Sequence, residues 1–253
     1  MDMSANNDID GHQTLKETLK EESQFMIDIV RVNGAAFISE LMDFIEELFR
    51  DPGTTTVPEA LYSSLLLSFC KICNFNGSIG VPKTKRQICN VAVVSVPDLV
   101  YKKPMAAIKN KVSGGSRIIS VAEVKKRDIK GPVITEKRQT RSSSDTDTER
   151  TFPPEQIKGI YQHAGQLVMA EPHSFVPGHS LGILLNETKI VFTCLVLTEN
   201  YRGNIGISLD VDDNGVVYTC GPYDMMKADD RQILLKTFFR LGLWQQSTHT
   251  PQH

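Results

Sequence analysis

The chain has 253 residues, of which 40% are hydrophobic and only 7% aromatic, enough for a mainly aliphatic core in one large domain or two small ones. The opening MDMSANNDID carries neither a basic nor an apolar leader region, so it reads as no signal peptide. The longest mostly apolar run, Ala60–Cys73, falls short of the roughly 20 residues a membrane span needs.

The net charge of −2 hides three blocks. Residues 1–82 carry 13 acids and 5 bases, residues 83–141 carry 15 bases and 4 acids, and residues 142–253 carry 8 bases and 13 acids. A cationic middle suits polyanions: nucleic acid, an anionic membrane surface or an import receptor. The cysteines number five, unevenly spaced, and are expected as reduced thiols in cytosol or nucleus.

In chain order, apolar periodicity predicts helix from Thr14 to Arg50. Leu15, Leu19, Met26, Ile29 and Val30 make one stripe, and Ile38, Leu41, Ile45, Leu48 and Phe49 make another. Asn33-Gly34 is expected to split this stretch in two, and Asp51-Pro52-Gly53 to stop it. Thr56-Val57-Pro58-Glu59 reads as a capping box for a further helix, with Leu61, Leu65, Phe69 and Ile72 inward and its end between Asn74 and Gly80.

The period then changes. Ile88–Val96 reads as a strand and Arg117–Val124 as a weaker one, with Ser113–Ser116 as a flexible joint between them. Ser142–Arg150 has no apolar residue and reads as disordered. Lys189–Thr198 is a long strand and Ile205–Val211 a second. Asp213-Asn214-Gly215 should turn into Val216–Cys220 as a hairpin. Asp229 or Asp230 caps a last helix, with Ile233, Leu234, Phe238 and Leu241 inward and Gly242 closing it.

The expected fold is therefore α+β. Residues 1–82 form an acidic helical part and 83–150 a basic connector with weak strands and a Ser/acid end. Residues 151–253 form an antiparallel β-sheet domain with a terminal helix.

Motifs for chemistry are sparse. DVDDNG at Asp210–Gly215 starts like a calcium loop, but its twelfth position is Gly221 where a bidentate Glu belongs. Cys70 and Cys73 have zinc half-site spacing and Cys89 could add a third ligand, but nothing completes four-coordination, so buried thiols are expected. Tyr62-Ser63-Ser64-Leu65 has the form of a sorting motif but sits in an apolar helix stripe, which favours core. No nucleophile elbow, phosphate loop or zincin motif occurs, so the reading is non-enzymatic, with no metal and no cofactor.

The cationic block is the sharpest feature. Lys125, Lys126 and Arg127 followed by Lys137, Arg138 and Arg141 have the spacing of a bipartite nuclear import signal, two clusters for two acidic pockets of a receptor. Lys83, Lys85, Arg86, Lys102, Lys103, Lys109, Lys111 and Arg117 precede it as polyanion-binding candidates. Ser142, Ser143 and Ser144, followed by acids, suit acid-directed kinases, and phosphate there would lower the local positive charge.

LNETKIVFTCLVLTENY at Leu185–Tyr201 and DDRQILLKTFFRLGLW at Asp229–Trp244 resemble the late strand and the last helix of rhabdovirus matrix proteins. The import spacing is similar to that of plant viruses that mature in the nucleus. The acidic N-terminus and the absence of P-P-x-Y (Phe152-Pro153-Pro154-Glu155 differs) depart from the animal-virus members.

The resemblance implies a structural protein of the virion, host nucleus and inner nuclear membrane. It would condense ribonucleoprotein or single-stranded RNA, bridge it to an anionic membrane, restrain transcription and self-associate. The alternative from the residues alone is a cellular nuclear adaptor whose helices bind a partner and whose basic stretch serves import only.

Overall fold

The computed structural model describes residues 7–50, 57–79, 83–104, 116–125, 133–134, 150–151, 154–208 and 214–247. Two helices come first, α1 (Asn7–Arg50) and α2 (Glu59–Ile72). Strands β1 (Gly77–Ile79), β2 (Thr84–Ile88), β3 (Val91–Ser95), β4 (Leu99–Pro104), β5 (Ser116–Lys125), β6 (Val133–Ile134) and β7 (Arg150–Thr151) follow. After them come α3 (Pro154–Ala170), a 3-10 turn at Glu171–His173, β8 (His179–Asn186), β9 (Lys189–Leu197), α4 (Glu199–Asn204), β10 (Gly215–Asp224) and α5 (Ala228–Gln246). The α+β class holds: a helical N-terminal part, a mixed sheet and a C-terminal helix.

Six strands form one sheet in the order β1-β4-β5-β8-β9-β10. All neighbours are antiparallel except β5 and β8, which run parallel with Ala122 opposite Ile183. A parallel pair needs a crossover connection, and here the crossover contains α3. Residues from 1–82, 83–150 and 151–253 all enter this sheet or its cover. β5, the weaker of the strands expected from the sequence, lies inside the sheet with Ile119 to Val124 all buried.

Alternation along β4 and β5, shifted once by a bulge where Tyr101 faces Ser120 and Lys102 faces Ile118, sends side chains to two different cores. On one face Leu99, Tyr101, Ile119, Ala122 and Val124 meet α2 and α5. On the other, Val100 and Val121 meet Leu167 and Ala170 of α3 and Leu195 and Leu197 of β9. Phe238 of α5 is fully buried and centres the first core, with ring centroids 5.9 Å from Phe69, 6.0 Å from Phe75 and 5.5 Å from Phe192. Phe75 in turn stacks on Tyr101 at 4.2 Å.

Several local expectations are corrected. Asn33-Gly34 does not divide α1, because Asn33 Nδ2 donates to Lys71 O at 2.7 Å and so serves the last turn of α2 from within a helix. Leu15, Leu19, Met26 and Leu48 lie outside the described side chains. Glu59 begins α2 after Pro58 as the cap residue, not in the first turn, and Thr56 lies outside the described residues. Leu65 and Phe69 are buried as expected, while Leu61 and Ile72 are half-buried.

Ile88–Val96 is not one strand: Ile88 ends β2 and Val91–Ser95 is β3 of the same hairpin. Cys89 and Asn90 turn it with φ of 47° and 62°, the left-handed pair a two-residue hairpin loop needs. Ile205–Val211 is no strand over its described part: Ile205 to Ile207 form a turn after α4, and 209–213 lie outside the described residues. β9 and β10 pair antiparallel, but through α4 and not across a tight hairpin. The tight turn is Glu187-Thr188, between β8 and β9.

In α5, Lys227 occupies the cap position, and Asp230 instead accepts from the Asp224 backbone N–H at 2.9 Å. Ile233 is 44% exposed, not inward, and Leu241 is half-buried. Gly242 does not close the helix, which runs four residues further. Of the Ser113–Ser116 joint only Ser116 is described, as the first residue of β5, and of Ser142–Arg150 only Arg150, in β7. α3 and β8 have no counterpart in the sequence reading.

Gly242 is required by contact: a Cβ there would lie 2.1 Å from Cys73 O, where α5 crosses the end of α2. Gly165 in α3 is exposed and a Cβ would meet nothing within 4 Å. Overpacking costs roughly 1–3 kcal/mol and alanine gains up to about 1 kcal/mol over glycine within a helix. Gly242→Ala should therefore lower the unfolding free energy while Gly165→Ala raises it by about 0.5–1 kcal/mol. Denaturant titration reads both signs, and a stabilised Gly242→Ala would mean that α5 does not sit on the α2 terminus.

Candidate polyanion site

The cationic candidates separate by where each strand sends them. Lys102 and Lys103 are consecutive in β4 and face opposite sides of the sheet. Lys103 is buried: its Nζ donates to Trp244 O and Ser247 Oγ, both at 2.8 Å, and lies 5.7 Å from the Trp244 ring centroid and 5.9 Å from that of Phe175. It holds the end of α5 and is not free for a polyanion.

Arg86 of β2 is likewise engaged. Its guanidinium donates to Val168 O at 2.7 Å and pairs with Glu171 at 3.5 Å, pinning the β2–β3 hairpin to α3. Glu171 is buried and also takes Arg202 at 2.8 Å and the Gly178 backbone N–H at 2.8 Å. A buried carboxylate must be paired, and Arg86 supplies part of that pairing. Arg117 is exposed, within 3.5 Å of Pro172 O and Ser174 O.

Lys83, Lys85 and Lys102 remain turned to solvent in whole or part. Lys83 and Lys102 line one cleft of about 270 Å³ between the β2–β3 hairpin, the β4–β5 face and the end of α3. Ser95, Ser116 and His173 line the same cleft with hydroxyls and an imidazole, as does Thr84, whose hydroxyl donates to Ser95 O at 3.2 Å, over an apolar floor that includes Val100, Ile118 and Val121. Two ammonium groups line the cleft with neutral polar groups and no carboxylate, a set of the chemical kind that phosphate oxygens require.

The import candidates divide differently. Lys125 ends β5, pairs in register with Asn186, and its Nζ binds Glu123 and, at 3.2 Å, Gln162. It is a sheet residue in an ion pair, because Glu123 is buried and needs a cation. Lys109, Lys111, Lys126, Arg127, Lys137, Arg138, Arg141, Ser142, Ser143 and Ser144 lie outside the described residues.

Behind the cleft runs a buried polar chain that the sequence reading missed. Gln166 of α3 lines the cleft and donates through Nε2 to Glu123 Oε2. One turn earlier, His163 stands 2.8 Å from Thr193 Oγ1 through Nε2. Gly182 makes this approach possible: a Cβ there would lie 2.5 Å from His163 Nε2. His163 Nδ1 and Gln166 Oε1 are buried with no hydrogen-bond partner among the described residues. The one signal for this chain in the sequence is polar residues at i and i+3 inside a helix, which says nothing of what they meet.

Two of the five thiols are closed. Cys70 and Cys73 are buried, Tyr101 donates to Cys70 Sγ at 3.4 Å, and burial pushes Cys73 up to about 12 and Cys70 higher still. Cys89 is exposed on the β2–β3 turn, across the sheet from them. Tyr62 and Leu65 are buried in the first core, with Tyr62 packed edge-on against Phe44 at 5.1 Å. Among the described residues no group of three or more His, Cys, Asp or Glu could hold a metal ion. No described helix is long and apolar enough to cross a membrane.

Compared with known proteins, the chain matches no family, no curated protein and no solved structure.

The buried chain carries a pH dependence. Burial, reinforced by Lys125 and opposed by the Gln166 amide, lowers His163 to about 4. An unfolded imidazole protonates below about 6.5, so stability that is full above that value is lost as pH falls toward 4. The sign for Glu123 is opposite: burial raises its carboxyl, so acid relieves its cost. The difference in unfolding free energy between the wild type and His163→Asn isolates the histidine. It should change by up to about 3 kcal/mol between pH 6.5 and 4, and a difference that does not vary with pH would place His163 in water.

Proposed function

We propose that this is a non-enzymatic, matrix-type structural protein that binds polyanions. Phosphates of single-stranded RNA would be held at the cleft of Lys83 and Lys102, and the wider basic stretch would reach ribonucleoprotein and an anionic membrane surface. The observation that carries the reading is the cleft: it collects solvent-facing cations of the basic block beside neutral polar groups. The engagement of Arg86 and Lys103 inside the fold narrows the candidates to Lys83, Lys85, Lys102 and Arg117 among the described residues.

Nuclear import through the bipartite spacing belongs to the same reading, with Lys126 and Arg127 as the first cluster, since Lys125 is held by Glu123. Import would deliver the chain to a nuclear site of assembly, where RNA or lipid replaces the receptor on the same charges. Phosphorylation at Ser142 to Ser144 would weaken either contact by adding negative charge beside the second cluster.

Each phosphate contact on a single strand contributes about −0.7 to the slope of log K against log salt. The variant Lys83→Ala/Lys102→Ala should therefore bind single-stranded RNA with a slope shallower by about 1.4, at unchanged melting temperature. Fluorescence anisotropy over about 50–200 mM salt gives the slope. An unchanged slope would move the site off the cleft. Absence of RNA and anionic-vesicle binding at low salt would leave the nuclear adaptor.

A further inference from the structure

Helix α1 is 44 residues long, about 66 Å at 1.5 Å per residue, and α2 covers only one side of it. Phe37 and Phe44 form the inner face, 5.4 Å from Phe69 and 5.1 Å from Tyr62. Beside this face lies a second apolar stripe that stays exposed among the described residues: Ile27, Val30, Ile38, Met42 and Phe49 are 52%, 38%, 61%, 52% and 77% exposed, while Leu41 at its edge packs on the core. At 100° per residue these five fall within an arc of about 120°. Gly34 falls in the same arc, and a Cβ there would meet nothing within 4 Å. The stripe thus has knobs on either side of a notch.

Charge narrows what the stripe meets. Asp28 and Glu46 flank it, whereas helices that lie on anionic membranes carry lysine and arginine there. Nucleic acid is repelled by the same flank. Between Ile27 and Phe49, Arg31 is the cation within the arc.

We propose that α1 is a self-association helix, pairing antiparallel with α1 of a second copy about a twofold axis at Ile38. That axis sets Gly34 opposite Met42 and Ile27 opposite Phe49, so each Met42 enters the notch at Gly34 of the second copy. Arg31 then lies beside Glu46 of the second copy, twice by symmetry. The contact is closed, because the same patch serves both chains. It does not depend on the polyanion reading and is tested without RNA.

Sedimentation equilibrium of the full chain should show a monomer–dimer equilibrium. Ile38→Asp and Gly34→Leu should each weaken it at least tenfold with unchanged circular dichroism; the leucine enters open space in the monomer, which keeps the test valid if Ile38→Asp misfolds. Arg31→Glu should weaken the dimer and Arg31→Glu/Glu46→Arg should restore it. On oxidation Ile38→Cys should cross-link to itself and Ile27→Cys should not, since Ile27 meets its own copy only in a parallel pair. A chain monomeric at every concentration, a dimer indifferent to both stripe variants, or stripe-dependent binding to lipid vesicles in place of dimerisation would overturn the proposal.

Discussion

Burial of β5 on both faces is the constraint from which the architecture follows. Six consecutive residues, Ile119 to Val124, are buried, with Ile119, Ala122 and Val124 in one core and Val121 in the other. A strand of this kind must be covered twice. Helices α2 and α5 cover one face and α3 the other, and the parallel neighbour β8 accounts for α3, because the chain has to cross the sheet to begin it. The long-range closures then depend on that core: Phe238 joins α5 to α2 and β9, and Gln245 Nε2 donates to Asn76 O and Lys102 O at 2.8 Å.

The same constraint sorts the charges. A basic block threaded through a central sheet cannot present all its cations. Lys103 points to α5, Arg86 neutralises Glu171, and Lys125 neutralises Glu123. Arg86 and Lys125 each stabilise a buried carboxylate that would otherwise carry a heavy desolvation cost, whereas Lys103 is itself the buried charge, held by Trp244 O and Ser247 Oγ. Lys102, one residue from Lys103, faces the other way and meets Lys83 in the cleft. The functional reading therefore rests less on how many lysines the segment holds than on which side of the sheet each one leaves.

The α+β class and the positions of α2, β9 and α5 were legible because α2 carries an apolar stripe, β9 is one nearly continuous apolar run, and Leu234 and Phe238 stand one helical turn apart in α5. α3 was not, because its inner face carries His163 and Gln166, whose partners Thr193 and Glu123 lie on other strands. Asn33-Gly34 misled as a turn signal because tertiary contact overrode it: Asn33 reaches the α2 terminus from mid-helix. Cys89-Asn90 was missed as a turn because its residue pair is not the usual glycine-containing one, although its backbone is of that kind. Of the cationic candidates, sequence marked the type and the region, but no property of a lysine in isolation separates Lys102 from Lys103. That distinction is made by strand phase and by a helix more than 120 residues later.

The central claim is that the basic middle of the chain contributes the inner strand of one shared sheet, instead of linking two independent parts. Native-state hydrogen exchange tests it most directly. The account predicts that amides of Ile119 to Val124 exchange among the slowest in the protein. They should share one opening free energy with β8 and with the Leu234–Phe238 turn of α5, as one cooperative unit. Rapid exchange of Ile119–Val124 while β8, β9 and α5 stay protected would contradict it.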